Sequence, residues 1–232
     1  MTARKLLLAA AFALTLVPVT ADAAQFIVVE ARGIAMKVGS IIDPMKPLIL
    51  KQGQHLTLIS ESGQTIKIDG PYEKAPVAEQ GVQLAAAFGA LATNSGGRLG
   101  EIGTTRGASN AMLPGPWLID TTRSGSVCIE QGQAPMLWRP AADLEAKLIV
   151  MPSDRSWKAE ADWPKGEDTL AVRSDMGMHG DASYFIVLNG NESAITINTI
   201  PAALANDRMR AAWMVQKGCN AQAEALMRSA AR

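Results

Sequence analysis

Three groups of side chains carry the chemistry available to this sequence. The first is the cysteine pair, Cys128 and Cys219, the only two in the chain. They lie far apart and neither sits in a Cys-x-x-Cys unit, which argues against a redox-active or metal-binding thiol pair. In a secreted protein two cysteines permit one connectivity, so a structural disulfide is expected. It would close a loop of roughly 90 residues, worth about 4–5 kcal/mol on the chain-entropy account, less any strain. The second group lies in Asp175-Met176-Gly177-Met178-His179-Gly180-Asp181. The thioethers of Met176 and Met178 and the imidazole of His179 are of the soft kind that suits copper in an exported protein. A polar loop whose methionines touch the edge of a core accounts for the same residues, and no cofactor is expected. The third group is the histidines, His55 and His179, one of which any Ser-His-Asp arrangement would have to use. His55 alternates with Leu56 and Leu58 and reads as a solvated strand position. There is no Gly-x-Ser-x-Gly elbow and no His-x-x-x-His pair. The acidic pairs Glu160/Asp162 and Glu167/Asp168 read as solvated faces, so no catalytic set is expected.

The start of the chain gives an address. Arg4 and Lys5 precede an apolar run from Leu6 to Val17, stopped by Pro18 and followed by Ala21-Asp22-Ala23. This pattern predicts a secretory signal over residues 1–23, cleaved before Ala24 or, as the near alternative, Gln25. The run is too short to span a bilayer. No lipid-attachment cysteine follows, which argues against a lipoprotein anchor, and no later apolar run is long enough to cross a bilayer, so the mature chain is expected to be a soluble periplasmic protein with no transmembrane segment. Lysine and arginine number 22, as do aspartate and glutamate, and no basic stretch stands out, which disfavours a nucleic-acid partner.

The elements that would position these groups read as mainly β. Residues 24–75 form a small β unit, with a hairpin around Glu61-Ser62-Gly63-Gln64 and a close at Gly70-Pro71. Residues 76–112 read as a helix followed by a Gly- and Ser-rich linker over 93–110. In 113–200, short runs separated by turn residues predict a β-sandwich: Trp117–Asp120, Ser126–Glu130, Met136–Trp138, Leu148–Met151, Trp157–Ala161, Thr169–Val172, Tyr184–Leu188 and Ala194–Asn198. Asn189-Gly190-Asn191 is a hairpin turn. Trp117, Trp138, Trp157 and Trp163 are expected to fill this core. Residues 201–232 read as a helical hairpin packed on the β domain, capped first by Thr199 with Pro201 in the first turn, broken at Gly218 and capped again by Asn220.

The order Val28-Val29-Glu30, Gly39, Leu48 to Gly53, His55 to Ile59 and Gly63 to Gly70-Pro71 resembles the FecR-like β domain of bacterial envelope proteins. The segments Trp117-Leu118-Ile119-Asp120, Cys128, Leu137-Trp138-Arg139-Pro140 and Trp213 to Cys219 are similar to an uncharacterised family of exported proteobacterial proteins. The first resemblance implies a small β module and does not imply transmembrane iron signalling. These readings converge on a soluble periplasmic binding or scaffolding protein without enzymatic activity, whose partner is an unknown envelope protein or glycan. The alternatives are an exported hydrolase with a dispersed active site, residues 93–110 serving as its lid, and a copper-binding protein using Met176, Met178 and His179.

Overall fold

A computed structural model describes residues 25–76, 84, 86 and 111–231. The predicted signal segment and the predicted linker lie outside the described residues, and of the predicted helix before that linker only Leu84 and Ala86 are described, both helical.

The N-terminal unit holds β1 (Phe26–Arg32), β2 (Ile41–Ile42), β3 (Leu48–Leu50), β4 (His55–Ser60), β5 (Thr65–Asp69) and β6 (Tyr72–Lys74). Four of them form an antiparallel sheet in the order β2-β1-β4-β5, and β3 pairs with β6 as a separate ribbon. The hairpin read at Glu61–Gln64 joins β4 to β5, with the Ser60 amide donating to the Gln64 carbonyl at 2.9 Å. Alternation divides the side chains between two faces. Phe26, Val28, Leu56, Leu58, Ile66 and Ile68 close over Leu48 and Leu50 of the ribbon. Ile27, Val29 and Ile59 point the other way, into a second cluster shared with the C-terminal helices.

The second unit holds β7 (Leu118–Asp120), β8 (Gly125–Glu130), β9 (Met136–Trp138), β10 (Ala146–Pro152), β11 (Ala159–Trp163), β12 (Thr169–Ala171), β13 (Ser183–Leu188) and β14 (Asn191–Ile200). A five-stranded sheet, β11-β10-β13-β14-β8, and a three-stranded sheet, β12-β9-β7, share one core built on Ile119, Leu137, Leu148, Val150, Trp163, Ile186, Ile195 and Ile197. The predicted turn between β13 and β14 has Asn189 at φ 49° and Gly190 at φ 84°, the left-handed pair of a two-residue hairpin whose twist matches its strands. The predicted Trp157–Ala161 strand is displaced: β11 starts at Ala159 and ends at Trp163. Trp157 instead lies ahead of the strand, partly buried against the sandwich core, with its ring 6.2 Å from that of Tyr184. Trp138 and Trp163 are core residues, whereas Trp117 packs against the helical cluster.

The helical tail differs from the sequence reading at both of its starts. Thr199 does not cap a helix; it belongs to β14, opposite Ile129 of β8. Pro201 follows the strand, and α1 (Asp207–Gln216) begins behind Asn206, whose side-chain oxygen accepts the Met209 amide at 2.9 Å. The parallel ladder with β8 holds the chain extended past the residue that local capping propensity singles out. Asn220 is likewise not the cap but the first residue of α2 (Asn220–Ala230); Cys219 stands at that position without a side-chain cap bond. Gly218, at φ 82°, ends α1 as read. The Gly218 amide donates to the Val215 carbonyl at 3.1 Å and the Cys219 amide to the Met214 carbonyl at 2.8 Å, the paired bonds of a Schellman cap.

The hairpin lies between the two β units rather than on the sandwich alone. Met209, Ala212, Trp213, Met214, Ala223 and Leu226 form one cluster with Ile27, Val29 and Ile59 from the first unit and with Cys128 and Ile200 from the second. That position explains why α1 is buried beyond one stripe, since it is covered from two sides.

Candidate functional site

The cysteine pair is held by a covalent bond, by burial and by side-chain hydrogen bonds to the backbone. Cys128 and Cys219 are disulfide-bonded, with Cα atoms 5.9 Å apart and a sequence separation of 91. Both are buried, at 0% and 1% exposure. Gln222, one helical turn after Cys219, was not singled out by the sequence. Its side-chain oxygen accepts the Cys128 amide at 2.6 Å, and its nitrogen donates to the Cys128 carbonyl at 2.8 Å and to the Pro116 carbonyl at 3.0 Å. β8 is the outer strand of its sheet, so the first turn of α2 closes that edge both covalently and through hydrogen bonds.

Arg139 is a second residue that sequence reading passed over. It is 2% exposed and has no carboxylate partner among the described residues. Its Nε donates to the Glu167 carbonyl at 3.0 Å, and its two terminal nitrogens donate to the Leu144 carbonyl at 2.9 Å and the Pro164 carbonyl at 2.7 Å. The guanidinium carbon lies 5.0 Å from the Trp163 ring centroid. The planar fork of arginine satisfies three carbonyls in diverging directions, which an ammonium could not do. Two of the three carbonyls, those of Pro164 and Glu167, lie 25 and 28 residues downstream, and all three are backbone groups, so no local pattern of side chains marks this role.

The three candidate metal ligands are divided by burial. Met176 and Met178 are each 7% exposed and belong to the sandwich core, while His179 is exposed, with Nδ1 2.9 Å from the Gly180 carbonyl oxygen. Met176 ends a short 3-10 turn, Ser174–Met176, and Gly177 at φ 67° sets the next bend. Among the described residues no three His, Cys, Asp or Glu side chains gather as a metal set. His55 is solvated on β4, its Nδ1 2.5 Å from Asp69 Oδ1 on β5. Among the described residues no hydroxyl or thiol bonds to this imidazole, so the pair is not extended into a nucleophilic triad. The two histidines lie in different units.

The acidic residues of β11 face solvent, as read. Glu160 pairs with Lys158 at 2.6 Å and Asp162 with Lys147 at 2.9 Å. The hydrogen bond from Lys158, then its charge, holds the Glu160 carboxyl below the usual range. The hydrogen bond and charge of Asp162 hold the Lys147 ammonium above its ordinary value.

What remains available for an outside partner is surface. Val38, Ile41, Met45 and Ile49 are exposed apolar residues close in sequence. Register separates two of them: Ile41 pairs with Ile27 and shares its helix-facing side, whereas Ile49 points away from the core that takes Leu48 and Leu50. They therefore do not form a single patch. A more coherent feature is a groove of about 170 Å³ between β5 and α1, lined by Gly63, Thr65, Lys67, Leu84, Ala212 and Val215. Among the described residues β5 is the outer strand of its sheet, so this groove runs beside a sheet edge.

No family model, no curated protein and no solved structure matches this chain.

Proposed function

We propose that this chain is an exported, periplasmic binding or scaffolding protein of the cell envelope, with no catalytic step of its own. The observation that carries the reading is the seam. A buried disulfide fixes a helical hairpin that both β units share as core, giving a single body whose outer strand β5, unpaired on one side among the described residues, and adjoining groove offer a surface to a partner. A structural disulfide of this kind fits an oxidising compartment. The side chains with chemical capacity near the seam are committed to structure: the cysteines to each other and Gln222 to the backbone of Cys128. The FecR-like order of Phe26 to Pro76 agrees with an envelope role, and a protein or glycan of that compartment is the partner class.

The test is fractionation of cells making the full chain, followed by non-reducing and reducing mass analysis and affinity capture from the envelope fraction. Periplasmic recovery of a processed chain with no free thiol, bringing down the same partner in repeated captures, supports the reading. A cytoplasmic, unprocessed chain with both thiols free overturns it, as does a purified chain that turns over an ester, amide or glycoside substrate.

A further inference from the structure

We infer that the β5 edge is a strand-addition site, and that it takes an extended partner segment carrying an acidic residue flanked, two positions away, by an apolar one. The inference deepens the binding reading and rests on it.

The backbone of β5 supplies the first half. The Ser60 amide bonds the Gln64 carbonyl at 2.9 Å, and the Gly70 amide bonds the Gln54 carbonyl at 2.8 Å. In an antiparallel ladder the residues that bond the neighbour alternate with those that face away. Gln64, Ile66, Ile68 and Gly70 therefore address β4, and the N–H and C=O groups of Thr65, Lys67 and Asp69 point outward from the sheet. Among the described residues β5 has β4 as its one neighbour strand, and none of these three residues has an interaction beyond those described. An unpaired row of donors and acceptors is a template for another strand.

The side chains supply the second half. Ile66 and Ile68 are spent in the N-terminal core, so Thr65, Lys67 and Asp69 lie on the opposite, helix-facing side. There Thr65 and Lys67 join Leu84, Ala212 and Val215 around the groove. A strand added to β5 would send alternate side chains to that same side. One lies opposite Lys67, and the next on that side lies opposite Thr65, over the apolar part of the groove. Lys67 is exposed and makes no ion pair, whereas Asp69 is held by His55. The added residue facing Lys67 is thus best acidic, since opposite charges across strands attract and like charges repel. The same rule disfavours a second copy of this chain: full antiparallel self-pairing of β5 sets Lys67 against Lys67.

The experiment uses the full chain and a synthetic peptide, acetyl-Ser-Val-Thr-Leu-Thr-Glu-Thr-Val-Ser-amide, with a second peptide in which lysine replaces the glutamate. Amide hydrogen exchange is read by NMR. Binding of the first peptide should slow exchange at Thr65, Lys67 and Asp69, and the glutamate peptide should bind about two- to fivefold tighter than the lysine peptide, the range of a cross-strand charge pair. Lys67→Glu should reverse that preference. Thr65→Pro removes an outward donor while leaving the β4 ladder intact, and should weaken both peptides; if this variant does not fold, Lys67→Glu still decides. Unchanged exchange at the three amides with either peptide, or a preference that Lys67→Glu does not move, overturns the assignment. A photo-cross-linking residue at position 65 and another at 165 separates this from the broader reading. An envelope partner captured from 165 and not from 65 overturns the edge site alone. No partner from either position overturns the binding reading itself.

Discussion

The side-chain amide of Gln222 pairs with both backbone groups of Cys128, taking its N–H at 2.6 Å and giving a hydrogen to its C=O at 2.8 Å. A helix side chain thus stands in for a missing neighbour strand at the outer edge of the five-stranded sheet. Cys128 is fully buried and Gln222 is 3% exposed, so water is not at hand to replace the bonds. Gln222→Leu keeps the apolar bulk but strands a buried donor and two acceptors, those of Cys128 and the carbonyl of Pro116. The expected loss is about 2–4 kcal/mol, a sum of unmade bonds at roughly 1–3 kcal/mol each with partial relaxation. Urea unfolding with the disulfide intact measures it; a loss under about 0.5 kcal/mol, the range of an ordinary surface change, would mean the amide is incidental.

The disulfide acts on the same joint from outside the folded state. Its 91-residue separation predicts a loss of about 4–5 kcal/mol in Cys128→Ala/Cys219→Ala, chiefly through a less restricted unfolded chain. Because both sulfurs are buried, dithiothreitol alone should leave the native bond intact, and urea should make it reducible. Mass analysis of alkylated samples across a urea series reads this directly. Reduction in the absence of urea at the rate of an unfolded control would show that the hairpin opens freely.

Much of this architecture is legible in the sequence, and the misses share a cause. Strand positions in the sandwich follow from period-two runs and from turns such as Asn189-Gly190, which depend on neighbours in the chain. The Gly218 break is legible for the same reason. The sequence reading fails at Thr199, where a parallel partner 70 residues away holds the strand extended against a local helix-start signal. It also fails at Gln222 and Arg139, because their partners are backbone groups that carry no sequence signature. The β5 groove needs α1 beside it, and no periodicity in either segment announces that neighbour.

Arg139 tests whether a buried charge with carbonyl partners depends on shape or on charge. Arg139→Lys preserves the charge but brings a point ammonium to a site with three diverging acceptors. We expect a loss of about 2–4 kcal/mol, because at least one carbonyl and part of the charge lose their partner. The stacking on Trp163 is lost as well, so the intrinsic fluorescence should also change. Equal stability of the lysine variant would mean the guanidinium geometry is dispensable.

On β11 the pH behaviour has a definite sign. The Lys158 hydrogen bond and charge hold the Glu160 carboxyl below its ordinary value in the folded chain. Its contribution is therefore present above the unfolded value and is lost as pH falls through the lower, folded one. The group is solvent-exposed, so the effect on total stability is small, and side-chain NMR is the sensitive readout. Lys158→Gln should move the Glu160 midpoint up, while the Asp154 midpoint, lowered by bonds from the Ser156 backbone and side chain, should not follow. A Glu160 midpoint unmoved by that substitution would remove the pair as its cause.

Gly63 and Gly53 separate backbone strain from close packing. Both have positive φ, 82° and 79°, so alanine at either position meets a similar left-handed penalty of about 1–2 kcal/mol. A Cβ at Gly53 would meet nothing within 4 Å, whereas one at Gly63 would lie 2.9 Å from the Arg208 carbonyl oxygen and 3.3 Å from its Cβ. The β4–β5 turn is thus seated against the first turn of α1, where the chain also bonds from the Asn206 side chain to the Glu61 carbonyl at 3.2 Å. Gly63→Ala must shift that helix start and should cost about 1–3 kcal/mol more than Gly53→Ala, the usual range for overpacking. Side-by-side thermal and urea unfolding of the two variants gives the difference. If the two losses match, the turn does not bear on the helix, and the hairpin is held in the seam by its apolar contacts, the disulfide and the Gln222 bonds.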